Sequence, residues 1–299
     1  MYHVPVLLKE SVEGLAIKPD KIYVDVTFGG GGHAKVILKH LKNGKLIAFD
    51  QDPDARQNAE LLGDAKLQLI EANFRHLRKY LKLYKQPKVA GILADLGISS
   101  HQIDHAERGF SIRWDAVLDM RMNQKGNVTA RDIINSYDNK ALTMLFREYG
   151  EVKNAWALSN GIVGARTNKA IVTTGDLVKV LNDFAPRGKE FKYQAQVFQA
   201  LRIEVNDEIG ALKDFLADSA NVLEQGGRLV VIAYHSLEDR LVKNFMRQGK
   251  FEGEPEKDFY GNLLRPLKPI RNKPTTASAE EISNNNRARS ARLRVAEKI

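Results

Sequence analysis

The sequence predicts an α/β fold in which an all-helical domain is inserted into a parallel sheet. Short β-branched or apolar runs alternate with segments of helical period over roughly the first hundred residues. A glycine-rich turn joins the first strand to the first helix. A long stretch without strand-like runs then follows before one more strand appears.

The predicted strands are short and are bounded by glycine, proline or polar residues. They span Ile22 to Val26, Lys45 to Phe49, Leu67 to Ile70, Val89 to Ala94 and Arg228 to Ala233. Helices are predicted between the first four strands, at Gly32 to Leu41, Pro53 to Leu62 and Phe74 to Leu83. Pro53 suits a first helical turn because its ring fixes φ near the helical value.

The segment from Ala106 to Asn206 has only loop and helical patterns. Its predicted helices span Ala130 to Tyr137, Lys140 to Tyr149, Asn154 to Ala165 and Gly175 to Phe184, with a long helix from near Tyr193. This last helix is expected to continue to Leu223, with Gln199 and Arg202 on an outward face. The predicted organisation is a discontinuous core, residues 1–105 and 207–299, and an inserted helical substrate-recognition domain, residues 106–206.

Basic residues outnumber acidic ones by 46 to 37, which gives a net charge of +9 and favours a polyanionic partner. Most of this excess lies between Arg265 and Ile299. That segment is expected to contact RNA phosphates or to form a solvated tail, and composition alone does not separate the two.

Cysteine is absent, which excludes disulfide scaffolds, zinc fingers, iron–sulfur ligation and thiol catalysis. The first residues lack the pattern of a signal peptide, and no apolar run approaches the roughly 18 residues that span a bilayer. We therefore expect a cytoplasmic protein, and we predict no metal site.

The loop after the first strand has the composition of a cofactor site. Asp25 is followed by four consecutive glycines at the start of a helix. Gly29, Gly31 and Ala34 fit the G-x-G-x-x-A pattern, and Asp50 ends the second strand at the spacing of a ribose-binding acid.

Two cofactors fit this layout. A nicotinamide dinucleotide would bring a pyrophosphate, which the Asp25 carboxylate repels, whereas S-adenosylmethionine brings a sulfonium and an ammonium. The acid therefore favours the cationic cofactor. Phe74, after the third strand, is expected either beside the adenine or in the core.

A more specific signal starts at Asp95. The blocks that carry it are Asp95-Leu96-Gly97-Ile98-Ser99-Ser100-His101-Gln102, Arg108-Gly109-Phe110-Ser111, Leu118-Asp119-Met120-Arg121-Met122, Phe198-Gln199-Ala200-Leu201-Arg202-Ile203, His235-Ser236-Leu237-Glu238-Asp239-Arg240 and Asn286-Arg287-Ala288-Arg289-Ser290-Ala291. With these blocks the chain resembles, along its whole length, the bacterial small-subunit rRNA cytosine-N4 methyltransferase family.

The resemblance implies a Rossmann-like class I methyltransferase sheet with S-adenosylmethionine as the methyl donor. It implies as acceptor the exocyclic amine of one cytidine in the decoding region of 16S rRNA, in the small ribosomal subunit or its precursor. The family's cofactor contacts fall on Gly31, Gly32, His33, Asp50, Phe74, Asp95 and Gln102 of this chain. Asp25 is a further predicted cofactor contact, because its carboxylate favours a cationic cofactor.

Three positions depart from the family pattern. Tyr193 to Gln196 stand where His-Pro-Ala-Thr is usual. Val117 replaces a proline, with Asn123 nearby where an acid is common, and Tyr234 replaces a phenylalanine. We expect these departures to alter helix entry and loop shape rather than the cofactor site.

Cytosine N4 is a poor nucleophile because its lone pair is delocalised into the ring, so hydrogen-bond acceptors on its N–H bonds would favour transfer. The predicted acceptors are Asp95, Ser99, Ser100 and Asp119. The predicted contacts to base or phosphate are Arg121, His235, Arg202, Arg287 and Arg289.

Structural alternatives stand beside these roles. Asp95 could serve the cofactor only, Asp119 and Arg121 could form an ion pair that holds a loop, and Ser236 to Asp239 fits a helix capping box. Two other functions also remain open. One is a non-catalytic ribosome assembly factor, and the other is an NAD-dependent dehydrogenase, which Asp25 opposes.

Overall fold

A computed structural model of the chain describes residues 5–98 and 103–299. The chain divides into two compact units, Met1–Gly97 with Ile209–Ile299, and Ile98–Glu208. The expected domain borders fell after residues 105 and 206. The first unit instead ends directly after a strand, because the chain leaves the sheet there.

The first unit contains a seven-stranded sheet in the order β3-β2-β1-β4-β5-β7-β6. The strands are β1 Ile22–Asp25, β2 Lys45–Asp50, β3 Leu67–Glu71, β4 Val89–Asp95, β5 Leu223–Ala233, β6 Leu267–Pro269 and β7 Arg292–Lys298. Strands β1 to β5 pair in parallel, and β7 is antiparallel to both of its neighbours. This topology confirms the predicted α/β class with a Rossmann-like sheet.

Both faces of the sheet are buried. Val24 and Ile47 belong to one apolar cluster, whereas their neighbours Tyr23 and Leu46 belong to another. The two clusters alternate along the strands because successive side chains of a strand point to opposite faces. A sheet that is covered on both sides explains why these strands are continuous apolar runs in the sequence.

The helices of the chain agree closely with the predicted segments in most places. In chain order they include α1 Leu8–Leu15, α2 Gly32–His40, α3 Asp54–Leu62, α4 Leu77–Leu83, α5 Ala130–Ser136, α6 Asn139–Glu148, α7 Ala155–Asn168, α8 Thr174–Asn182, α9 Glu190–Asn206, α10 Glu208–Val222, α11 Ser236–Gln248 and α12 Ala279–Asn284. None of the described helices is long and apolar enough to cross a membrane.

The second unit, which contains α5 to α9, has its own apolar core around Phe146 and Leu158. Within the described part of residues 106–206 the only β pairing is an isolated bridge between Val117 and Thr173. Thr129 and Thr173 each form a capping box with an aspartate three residues later, which satisfies backbone N–H groups at the starts of α5 and α8.

The predicted continuous helix from Tyr193 to Leu223 is wrong. Helix α9 ends at Asn206, Asp207 has φ of 46° in the left-handed region, and α10 begins at the next residue. Aspartate adopts this conformation more readily than most residues. The apolar pattern continues across the break, so the sequence does not reveal it.

The C-terminal segment is not a solvated tail. Arg292–Lys298 forms β7 between β5 and β6. The guanidinium of Arg294 donates to both carboxylate oxygens of Asp239, at 2.7 and 3.0 Å. Part of the C-terminal positive charge is therefore neutralised within the first unit.

Candidate cofactor and catalytic site

Three aspartates end neighbouring parallel strands at one edge of the sheet. Asp25, Asp50 and Asp95 are the last residues of β1, β2 and β4, and β1 lies between the other two strands. The chain passes from β1 to β2 on one side, while β4 lies on the other. Such a change of direction opens a crevice at the carboxyl ends of strands, which is where α/β proteins bind their ligands.

The glycine loop is tied to this edge by hydrogen bonds. The Gly29 amide donates to Asp50 Oδ2 at 2.7 Å, and the Asn58 side chain donates to the Gly29 carbonyl at 2.9 Å. Gly31 has φ of 73° and precedes the first turn of α2. The left-handed backbone favours glycine at this position, and a Cβ atom would also lie 2.7 Å from a Leu62 methyl.

The three carboxyl groups are harder to ionise than ordinary aspartates. Desolvation raises the pKa of Asp25 and that of Asp50 to about 6, although backbone N–H donors oppose the shift in both. Desolvation raises the pKa of Asp95 to about 7, against a hydrogen bond from Tyr234. A cation bound at this edge would relieve the cost of ionising them.

His33 lies beneath the same edge. Its ring is buried, with Nδ1 3.9 Å from Asp95 Oδ2. Desolvation lowers the pKa of His33, while the nearby Asp25 opposes that shift. Nε2 is buried without a hydrogen-bond partner among the described residues, so it is available to a bound group.

The predicted cofactor residues of the first unit are brought together in part. Asp25, His33, Asp50 and Asp95 meet at the carboxyl edge with Gly31 and Gly32. Phe74 packs edge-on against Phe215 at 5.4 Å between ring centroids and contacts the core, while remaining half-buried. Ser99, Ser100 and Gln102 lie outside the described residues.

Asp119 belongs to the second unit and forms a bidentate ion pair with Arg121, at 2.8 and 2.7 Å. The Arg121 guanidinium also donates to the carbonyls of Gln124 and Gly126. Desolvation alone would raise the pKa of Asp119, but the hydrogen bonds that Arg121 donates to its carboxylate lower the pKa overall. The pair therefore holds a loop, and the acceptor role of Asp119 stays a prediction.

The prediction that Gln199 and Arg202 lie on an outward face of α9 is wrong. The Arg202 guanidinium, only 13% exposed, donates to both oxygens of Glu208 at 2.8 and 2.9 Å. The Gln199 amide donates to the Tyr149 carbonyl at 2.9 Å. Both side chains hold the second unit together, because polar groups that approach the core are retained there by hydrogen bonds.

The predicted capping box of α11 starts one residue earlier than expected. His235 is the N-cap residue, its Nδ1 accepts from the Glu238 amide, and the Glu238 carboxylate accepts from the His235 amide. Ser236 is therefore the first helical residue rather than the cap. Near the C-terminus, Arg289 is exposed and Arg287 is half-buried.

Sequence reasoning missed three contributors to the edge. Thr27 Oγ1 accepts from the Asp95 amide at 2.7 Å, and Asn58 holds the glycine loop. Tyr234 donates its hydroxyl to Asp95 Oδ1 at 2.7 Å, although we expected this departure to leave the cofactor site unaffected. The available signal was that Tyr234 follows the carboxyl end of β5, the strand beside β4.

A model described as the MraW methylase family matches residues 1–299. The chain belongs to the MraW methylase family. Its relatives include proteins named ribosomal RNA small subunit methyltransferase H. The one from Cytophaga hutchinsonii is 62% identical over 298 residues, covering 100% of both chains. The one from Flavobacterium psychrophilum is 57% identical over 293 residues, covering 98% of this chain and 100% of that protein.

Solved structures that match are much more distant than these relatives. An rRNA methylase from Streptococcus thermophilus is 14% identical, with a TM-score of 0.42 and 99% of each chain covered. Membership of the MraW methylase family does not favour the dehydrogenase alternative.

Proposed function

We propose that the chain transfers a methyl group from S-adenosylmethionine to the exocyclic N4 amine of a cytidine in the decoding region of 16S rRNA. Its substrate is the small ribosomal subunit or its precursor, and it acts in the cytoplasm. The observation that carries the proposal is the set of three aspartates around the glycine loop, in a chain of the MraW methylase family.

The charge at this edge supports a cationic donor. A pyrophosphate brought to the glycine loop would be repelled by the Asp25 carboxylate, whereas a sulfonium and an ammonium would be attracted. The fit also rests on the free Nε2 atom of His33, which offers a buried hydrogen-bonding group. When bound, S-adenosylmethionine supplies an electrophilic methyl group.

Residues of the carboxyl edge would divide the work of holding this donor. Asp50 is assigned to the ribose hydroxyls, the backbone of Gly31 and Gly32 to close approach of the ligand, and Asp25 to its positive charge. Asp95 presents one oxygen that Tyr234 does not occupy. That oxygen is assigned to the donor's ammonium or to the acceptor amine, and in the second role it draws an N–H proton from cytosine N4.

The second unit is assigned to recognition of the RNA. Asp119 keeps its negative charge near neutral pH because Arg121 stabilises it, so it is a further candidate for accepting from the target amine. Ser99 and Ser100 remain candidates by sequence alone. The base must leave its stack to reach such acceptors, which costs least where the RNA is already distorted.

The test is transfer of labelled methyl groups to small subunits from a strain that lacks this gene, followed by nucleoside analysis. We expect label on cytosine N4. Label on a ribose or on cytosine C5 would contradict the assignment. Asp95→Asn and Asp119→Asn separate the acceptor roles: a variant that binds the donor normally and keeps the full transfer rate excludes that residue as acceptor.

The same assay distinguishes a non-catalytic assembly factor. If the chain only holds rRNA, variants of Asp25 or Asp50 that no longer bind the donor should still restore the normal growth of the deletion strain. We expect them to fail in the transfer assay while retaining RNA binding.

A further inference from the structure

A basic and aromatic segment lies at the start of α9 in the second unit. Arg187, Lys189, Phe191 and Lys192 are all exposed, and Phe191 is 79% exposed. Among the residues that the structure describes, none of these three cations pairs with an acid. The segment therefore presents an aromatic ring between free positive charges.

The backbone of this segment is held in place. The Lys189 amide donates to the Pro186 carbonyl at 3.0 Å, and the Gly188 amide donates to Glu190 Oε1 at 2.8 Å. Behind it, the buried Tyr193 donates its hydroxyl to Asn154 at 2.9 Å. Phe191 is thus presented on a fixed support, which lowers the entropy lost when a partner binds.

The chemistry of the segment fits a nucleic acid. One acid, Glu190, lies within it, and its carboxylate is already used by the Gly188 amide. An exposed aromatic residue alone would be unremarkable. Together with neighbouring cations it forms the combination that binds single strands, in which bases stack on the ring and phosphates meet the charges.

We propose that Arg187 to Lys192 bind a single-stranded stretch of the rRNA substrate, with Phe191 stacked on a base. The identity of the RNA rests on the proposed function, whereas the contact itself does not. The partner class is single-stranded RNA, because three cations outweigh the one acid, Glu190, beside an exposed ring.

The experiment measures binding of a fluorescent single-stranded RNA 12-mer to the full chain, together with methyl transfer to unmethylated small subunits. We expect Phe191→Ala to weaken RNA binding about tenfold, since stacking on one base contributes about 1–3 kcal/mol. Phe191→Trp should retain the affinity, and Phe191→Leu should not. Trp156→Ala is a matched control, because Trp156 is also exposed in the second unit.

The double variant Lys189→Glu with Lys192→Glu tests the charges and should weaken RNA binding. The slope of the logarithm of the binding constant against the logarithm of the salt concentration should become shallower by about 0.7 for each lost phosphate contact. The double variant Lys82→Glu with Lys140→Glu, at two exposed lysines elsewhere in the chain, controls for net charge. Unchanged RNA binding by Phe191→Ala would overturn the proposal, as would full affinity of Phe191→Leu, which would show that the RNA does not need an aromatic ring at this position. If the wild type binds the 12-mer but methylates no RNA, the proposed function fails and this proposal stands.

Tyr234 carries a second inference, from contacts within the first unit. Its hydroxyl donates a hydrogen bond to Asp95 Oδ1, and its backbone amide donates to Glu238 Oε2 at 2.9 Å. Thr27 holds the Asp95 backbone from the glycine loop. The Asp95 side chain is 24% exposed, and its other oxygen, Oδ2, lies 3.9 Å from His33 Nδ1.

We infer that Tyr234 is a positioning residue that turns Asp95 so that Oδ2 alone faces the ligand. A carboxylate with one oxygen fixed loses its rotational freedom and presents a single acceptor, as a preorganised site requires. The charged groups that face Asp95 are His33 from α2, Asp25 from β1 and Glu238 from α11. Tyr234 is the neighbour that donates a hydrogen bond to its side chain.

Tyr234→Phe removes only the hydroxyl. Because that hydrogen bond lowers the pKa of Asp95, the variant should need a higher pH to ionise Asp95. Calorimetry should find that the variant binds S-adenosylmethionine about three- to tenfold more weakly at pH 6.5 and equally at pH 8.5. Tyr193→Phe, which loses a hydroxyl bonded to Asn154, is the matched control.

Superimposable pH profiles for Tyr234→Phe and the wild type would overturn this inference, even if the variant melts at a lower temperature. In the Asp95→Asn background the Tyr234→Phe change should have no further effect on the pH profile, because the two residues act as one unit. A wild type that binds no S-adenosylmethionine at all would instead contradict the proposed function.

Discussion

Asp95 illustrates how position in the sheet sets the chemistry of one residue. It ends a central strand, so neighbouring elements desolvate it, yet its side chain remains 24% exposed. Desolvation raises its pKa to about 7, so the cofactor-free folded protein binds a proton there more readily than the unfolded chain does. Desolvation also raises the pKa of Asp25 and that of Asp50, but to a smaller extent, to about 6.

This has a measurable effect on stability. The folded pKa of Asp95 lies above the unfolded value of about 3.8, so the folded state binds more protons, and the wild type loses stability as pH rises from about 4 to 7. Asp95→Asn cannot ionise. Relative to the wild type, the variant should gain on the order of 2 kcal/mol between pH 5 and pH 8.

The measurement is urea unfolding of the cofactor-free wild type and variant at both pH values. A variant whose relative free energy of unfolding is the same at pH 5 and pH 8 would mean that Asp95 ionises at an ordinary pH. Asp64→Asn serves as a control, because Asp64 is half-buried and precedes the start of β3, whereas the three aspartates lie at the carboxyl ends of their strands.

At the scale of elements, ion pairs connect strand β7 to helix α11. Asp239 is 8% exposed and lies between Arg294, 10% exposed, and Arg292, 53% exposed. The sequence suggested that this acid belongs to a helix cap, but its oxygens face the arginines of a strand more than fifty residues later. Despite desolvation, the ion pairs lower the pKa of Asp239.

Removing one partner of this buried pair should leave an uncompensated charge. Arg294→Ala is expected to lower the free energy of unfolding by about 3 kcal/mol, whereas Arg292→Ala should cost about 1 kcal/mol or less because its guanidinium is half in solvent. Urea unfolding at pH 7 measures both. Equal losses from the two variants would contradict a dominant role for the buried arginine.

At the scale of the whole molecule, the charge is divided between two tasks. The net charge is +9, while the cofactor edge of the sheet is acidic. Salt screens contacts between exposed cations and phosphates, and it has less effect on charges that the protein shields from solvent.

We therefore expect RNA binding to weaken steeply between 50 and 200 mM salt, by about tenfold or more, while S-adenosylmethionine binding changes by less than about twofold. Fluorescence anisotropy with RNA and calorimetry with the cofactor give the two series on the same preparation. Equal salt slopes for both ligands would contradict the division of charge.

The sequence predicted β1 to β4, the helices between them and the glycine loop because these depend on local periodicity and backbone freedom. It also assigned Asp25, Asp50 and Asp95 to one cofactor site, through the charge argument, the spacing of a ribose-binding acid and the family resemblance. The break at Asp207 escaped prediction because one residue in the left-handed region leaves the apolar pattern unchanged. The pairing of Arg292–Lys298 as a strand escaped prediction because its partners are distant in sequence.

What the sequence determined by itself is therefore the α/β class, the carboxyl edge with its acids and the family resemblance. Only the tertiary structure decided that Tyr234 holds Asp95, that Arg294 neutralises Asp239, and that Arg202 faces Glu208 instead of solvent. The physical reason is that a side chain's charge and hydrogen bonds depend on which neighbours fold against it. Strand and helix periodicity fix which face a residue occupies, but not the partner it meets there.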